Sequence, residues 1–128
     1  MPGFITVEDV LELHAGQIAT YGGSDGVRSA ALLESAIAQP EATFGGQYLH
    51  RDVVQMAAAY LFHLVQNHPF IDGNKRIGLE AALVFLELNG YSVEAEDEHL
   101  VELVLGVAQG QIDKPRIAEF FHTHAGTP

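Results

Sequence analysis

His68-Pro69-Phe70-Ile71-Asp72-Gly73-Asn74-Lys75-Arg76 separates two strongly apolar segments, Val53 to Val65 and Ile77 to Leu88. Both flanks are apolar on almost every face, the pattern of buried helices, so the polar stretch is expected on the loop between them. Pro69 cannot continue the first helix and biases His68 away from helical geometry, while Phe70 can pin the loop to the core. Asn74 is the expected N-cap of the second helix. That assignment puts Lys75 and Arg76 in the first turn, where the helix dipole disfavours cations, and so implies a bound anion. Gly73 would permit close approach, and free backbone N–H groups beside two cations make a phosphate cradle. Composition alone leaves another arrangement open, in which His68 caps a helix end, Asp72 assists the next N-terminus and both cations lie in solvent.

The 128 residues are read as a single domain, 1–128, large enough for a core without disulfides or a structural metal. There are no cysteines, which excludes a disulfide scaffold and thiol catalysis. No basic N-terminal segment precedes an apolar run, and neither apolar helix is long enough to span a bilayer, so a soluble cytoplasmic protein without a membrane partner is expected. A net charge of −11 with only six Lys and Arg argues against nucleic-acid binding. Two of the six lie in the loop, as befits a focused site for a small anion such as a nucleotide. The acidic residues from Glu94 to Glu98 read as solvated surface.

Along the chain the pattern is helical throughout. Thr6 with Asp9 resembles a capping arrangement for a helix bearing Val7, Val10, Leu11 and Ile18. Tyr21 to Gly26 is a break, and a second helix is expected from Ser29 to Ala38, with Pro40 just beyond it. Thr43-Phe44 and Tyr48-Leu49, separated by Gly45-Gly46-Gln47, signal a short hairpin in an otherwise irregular segment from Glu41 to Arg51. After the Asn89-Gly90 stop, helices are expected from Leu100 to Ala108 and beyond Asp113, with Pro115 in the first turn. The absence of a strand before Gly73 and of a Gly-Lys-Ser/Thr run excludes a P-loop.

Seven histidines invite a zinc reading, but His14, His50, His63, His68, His99, His122 and His124 do not fall in a ligand pattern. His63 reads as a satisfied helix residue, and His122 and His124 as exposed. Mg²⁺ needs only one or two carboxylates plus phosphate oxygens and waters, so Asp72 could hold it once a nucleotide is bound. Histidine as a residue type titrates near neutrality and suits a general base, which gives His68 a role in taking a proton from a hydroxyl.

The nine residues match the Fic/Doc signature: a histidine, a phenylalanine two on, an acid four on, then Gly-Asn-x-Arg. Glu12-Leu13-His14, Tyr21-Gly22-Gly23, Pro40 to Gly46 and Leu88-Asn89-Gly90-Tyr91 also resemble death-on-curing (Doc) proteins, so the resemblance covers most of the chain. It implies an all-α, compact helical bundle, the Fic fold, with a short β-hairpin flap that holds the extended backbone of a target protein by strand addition. It implies ATP as co-substrate with Mg²⁺. It also implies that His68, Asp72, Asn74, Lys75 and Arg76 carry catalysis, that Gly73, Asn74, Lys75 and Arg76 bind the nucleotide, and that Asp72 is the metal ligand.

Most Fic enzymes transfer AMP, and their signature has a second glycine where this chain has Lys75 and a second arginine where it has Leu79. Both departures match the Doc branch, whose phage representative phosphorylates a threonine of translation elongation factor Tu. Lysine fills space beside the helix N-terminus and adds charge, and loss of the arginine removes a grip on distal phosphates, so the nucleotide could lie reversed. The resemblance therefore implies an ATP-dependent protein kinase that inhibits translation. AMP transfer is the alternative, since Pro69 and Gly73 bring the motif closer to the AMP-transferring consensus. A catalytically inactive binding module is a further alternative, against which both His68 and Asp72 are present. No Ser/Thr-x-x-x-Glu-Gly/Asn inhibitory helix occurs, because Ser92 to Glu96 is followed by Asp97. Restraint is expected in trans, from a small antitoxin.

Overall fold

Thr6 and Asp9 close a capping box: the Thr6 hydroxyl accepts from the Asp9 N–H at 3.1 Å and the Asp9 carboxylate accepts from the Thr6 N–H at 2.8 Å. They open α1 (Val7–Tyr21) in the computed structural model, which describes residues 2–126. Ser29 caps α2 (Ala30–Ala38), and a 3₁₀ turn over Gln39–Glu41 absorbs Pro40. Asp52 caps α3 (Val53–Asn67), α4 spans Asn74–Leu88, α5 spans Asp97–Ala108 and Asp113 caps α6 (Lys114–His124). The expected all-α bundle with a short hairpin is what the chain forms. α5 starts at Asp97, three residues before the Leu100 expected from apolar spacing, because Asp97 and Glu98 suit the positive end of a helix.

Helix α3 is the hub. Val54, Met56 to Leu61, Leu64 and Val65 are all buried, and α2, α4, α5 and α6 all pack against it. The contact with α4 is the most extensive, and Gly78 makes it possible: a Cβ there would lie 2.8 Å from Val65 Cγ2 and 3.2 Å from the Leu61 carbonyl. Tyr60 is fully buried yet satisfied, its hydroxyl accepting from the Ile5 N–H at 3.1 Å. Burial holds that phenol well above the ordinary tyrosine range. Asn89 ties the chain start to the end of α4 by accepting from the Gly3 N–H and donating to the Gly3 carbonyl.

The hairpin pairs β1 (Thr43–Phe44) with β2 (Gln47–Tyr48), in the register Thr43 with Tyr48 and Phe44 with Gln47. Gln47 therefore belongs to the second strand and Leu49 does not, a one-residue shift from the expected boundaries. The cause is the turn: Gly45 and Gly46 both have positive φ, 60° and 80°, which makes a two-residue connection with the twist a hairpin prefers. A second small sheet, β3 (Ser92–Val93) with β4 (Ala125–Gly126), was not foreseen. Two-residue strands carry too little alternation to register in a sequence. No helix among the described residues is long and apolar enough to cross a membrane.

Candidate active site

The loop from His68 to Gly73 joins the two best-packed helices, and its shape begins at the end of α3. His68 adopts left-handed backbone geometry (φ 50°, ψ 53°), alone among the described non-glycine residues in having positive φ. Such a conformation costs on the order of 1 kcal/mol and persists only where the surroundings impose it. Pro69 denies His68 the helical alternative. Arg28 then clamps the helix end, donating from Nε to the His68 carbonyl at 2.6 Å and from Nη2 to the Asn67 carbonyl at 2.9 Å. A cation there also meets the negative end of the α3 dipole. The same strap holds the next residues: Arg28 and Ser29 N–H groups donate to the Pro69 carbonyl, and the Ile71 N–H donates to the Gly26 carbonyl.

Beneath the loop, Phe70 is buried and stacks on the His14 ring, with centroids 3.8 Å apart and planes 11° apart. His14 is only 2% exposed, and its Nε2 lies 2.8 Å from the Asp72 carbonyl, which can only accept, so Nε2 carries the proton. Gln17, one turn on, donates to the Arg76 carbonyl and to the Glu80 carboxylate. Val10, His14 and Gln17 form the buried face of α1. Sequence reasoning missed both polar members. Their spacing from Val10 was the available signal, because a histidine and a glutamine on an inward helical stripe must find partners.

Asn74 is not the N-cap. Gly73 holds that position with left-handed geometry (φ 81°), and Asn74 is the first helical residue, 4% exposed. Its side chain turns back on the loop, accepting from the Phe70 N–H and donating to the Phe70 carbonyl, both at 2.9 Å. An Asn that bridges its own loop gives more closure than one capping a helix, and glycine relieves the tight turn before it. The consequence is that no side chain caps α4. The N–H groups of Asn74, Lys75 and Arg76 lie in the first turn, where the helix supplies no acceptor, and remain available to an anion.

The remaining motif side chains meet around a cleft of about 510 Å³, walled by the loop, the α4 N-terminus, Val65, Gln66 and Ala108. His68, Asp72, Gly73, Asn74, Lys75 and Arg76 all line it. The exposed His68 imidazole has no hydrogen-bond partner among the described residues, which leaves it free for a substrate. Asp72 is held from behind: Oδ1 accepts from the Gly73 N–H at 2.8 Å and Oδ2 from the Ser24 N–H at 3.2 Å. Each oxygen keeps a further lone pair, so an exposed, fixed carboxylate beside an uncapped helix N-terminus and two cations fits one-carboxylate Mg²⁺ binding. Lys75 and Arg76 are exposed, and the Arg76 guanidinium lies 4.6 Å from the Tyr21 ring centre, a cation–π contact that orients it. The hairpin residues are not among those lining the cleft.

Elsewhere, Glu96, Glu98 and His99 bring three possible metal ligands together, all exposed, and none lines the cleft. His122 is exposed and 3.7 Å from Asp52, while His124 is only half-buried, with Nδ1 3.2 Å from the Glu94 carbonyl. His63 is satisfied, but by a lysine of α6.

Residues 4–86, which run from the first capping box through most of α4 and include the entire loop, match the Fic/DOC family. The chain is 33% identical over 115 residues to the protein kinase doc of Escherichia phage P1, an alignment covering 90% of each protein. It is 42% identical over 96 residues to the toxin Doc of Mycolicibacterium smegmatis, covering 75% of this chain and 72% of the relative. The chain belongs to the Fic/DOC family, in its Doc branch.

Proposed function

We propose that the protein is a Doc-like toxin, an ATP-dependent kinase that transfers the terminal phosphate to a hydroxyl of a protein, restrained in trans by a small antitoxin. One observation carries this reading: an unpartnered imidazole, a fixed carboxylate and an uncapped helix N-terminus with two cations face the same cleft. The hydroxyl oxygen of the target attacks the terminal phosphorus, the bond to the bridging oxygen breaks, and ADP leaves with that electron pair. His68 accepts the hydroxyl proton. Lys75, Arg76 and the first-turn N–H groups hold phosphate oxygens as charge redistributes, while Asn74 acts as a positioning residue by fixing the loop. Asp72 would hold Mg²⁺, which when bound neutralises phosphate charge.

The relatives, a protein kinase and a toxin by name, support the activity and the role. The target we propose is a threonine of translation elongation factor Tu, with growth arrest through translation. The hairpin supports capture of an extended peptide, since among the described residues its strands pair only with each other and Phe44 is 81% exposed. The test is incubation with ATP, Mg²⁺ and purified elongation factor, followed by intact mass. A phosphate-sized addition, carrying label from the terminal but not the innermost phosphate, is expected. A nucleotide-sized addition would overturn the kinase reading in favour of AMP transfer. Growth arrest on expression, relieved by a co-expressed antitoxin, tests the role.

A further inference from the structure

We propose that Lys114 is a reactive amine, seated in a second cavity, that takes small neutral aldehydes and ketones as Schiff bases. The cavity, of about 480 Å³, shares no lining residue with the phosphate cleft. Lys114 Nζ lies 3.1 Å from His63 Nε2 on α3 and 3.4 Å from His50 Nε2 on the segment preceding α3. Three bases at these distances cannot all be protonated. No carboxylate forms an ion pair with Lys114 among the described residues; the adjacent Asp113 carboxylate is turned to the Arg116 N–H. Lys114 is also the first residue of its helix, where the dipole opposes a cation.

The surroundings make Lys114 easier to deprotonate than an ordinary lysine. Burial lowers Lys114 below the ordinary lysine value, and burial with the Lys114 charge pushes His63 down to about 4. His50 is lowered by burial first and by Lys114 second. His50 Nδ1 is buried, and the Gln39 backbone beside it acts in the opposite sense, raising the His50 pKa. A lysine desolvated in this way, beside another base, is an activated nucleophile. Pro115 and Ala118 give the cavity an apolar wall. Gln55, whose Oε1 already accepts from the Arg51 N–H, keeps its amide hydrogens for a carbonyl oxygen. Glu119 also lines the cavity, His122 beside it pairs with Asp52, and the chain carries a net charge of −11. Those charges select against anionic carbonyl compounds.

The Nζ lone pair attacks the carbonyl carbon and the π pair moves to oxygen. His63 Nε2 carries one proton from nitrogen to that oxygen, giving the carbinolamine. The nitrogen lone pair then expels the hydroxyl, which leaves as water with the second nitrogen proton by way of the same imidazole. Nothing is oxidised or reduced.

The chain contains two lysines, Lys75 and Lys114, which makes the test direct. The intact protein is incubated near neutral pH with propanal and cyanoborohydride, and alkylation is located by peptide mass. Lys114 in the folded chain is expected to react faster than Lys75, and faster than Lys114 in the chain unfolded by guanidinium, by roughly tenfold for each unit of lowered pKa. Glyoxylate, an anionic aldehyde, should react more slowly than propanal at Lys114. His63→Gln should slow Lys114 and leave Lys75 unchanged. Slower reaction at Lys114 in the folded than in the unfolded chain would overturn the proposal, and that comparison requires no variant to fold.

Discussion

The left-handed backbone at His68 and the two bonds from Asn74 to Phe70 divide the labour of the loop between one exposed and one buried side chain. The exposed His68 ring makes no hydrogen bond among the described residues, so its loss should affect chemistry alone. His68→Asn tests this better than His68→Ala, because asparagine tolerates left-handed geometry whereas alanine adds backbone cost. Transfer should fall about 10²- to 10⁴-fold, the usual contribution of a general base, with an unchanged thermal midpoint. Near wild-type phosphorylation by a folded His68→Asn protein would remove the residue from the mechanism. Asn74→Ala should do the opposite. It leaves a buried N–H and carbonyl of Phe70 unpaired, a cost on the order of 1–3 kcal/mol readable in denaturant titration. Asn74→Asp separates the two bonds, since a carboxylate can still accept from the Phe70 N–H but cannot donate to its carbonyl.

Among the elements, α3 and α4 approach closely enough that Gly78 has no room for a side chain, and this contact fixes where both ends of the loop begin. Gly78→Ala should therefore destabilise the protein by about 1–2 kcal/mol, overpacking outweighing the gain in helix propensity. Gly16→Ala, on α1 with nothing within 4 Å of the added Cβ, should stabilise by up to about 1 kcal/mol. Equal effects at the two glycines, measured by urea unfolding, would refute the close-packing account. Four of the six helices carry a local start signal, since Thr6 with Asp9, Ser29, Asp52 and Asp113 all cap as their residue types prefer, while α4 and α5 were legible from apolar spacing alone. The loop was legible for the same reason, as polar residues stranded between two apolar runs. What holds the loop was not. Arg28 lies 40 residues from the carbonyl it clamps and His14 lies 58 from the one it supports. Such partners are set by tertiary packing, on which no local pattern reports. Asn74 misled because a favourable N-cap residue type also suits an Asx bridge one position further on.

At the scale of the whole molecule, acidity dominates, and yet three of its basic groups sit half-buried together where α6 meets α3. His63 has its pKa lowered to about 4 from an ordinary 6.5, first by burial, then by Lys114 and then by His50. A histidine that resists protonation in the folded state but not in the unfolded one makes the unfolded chain the greater proton binder between those values. Stability is then fully present above about pH 6.5 and declines as pH falls through the window towards pH 4, below which the difference is exhausted. Partial solvent exposure discounts the effect to on the order of 1–2 kcal/mol, and His50, lowered for the same reasons, adds in the same direction. Carboxylates protonating at the lower end of the window blur the total, so the difference between proteins is the useful quantity. His63→Gln keeps a group able to accept from Lys114 but cannot titrate. Unfolding free energies of wild type and variant, followed by circular dichroism from pH 7.5 to 4, should converge as acid is added, the wild type losing more. Parallel curves would mean that His63 is protonated as readily folded as unfolded, and that the Lys114 ammonium is not what it faces.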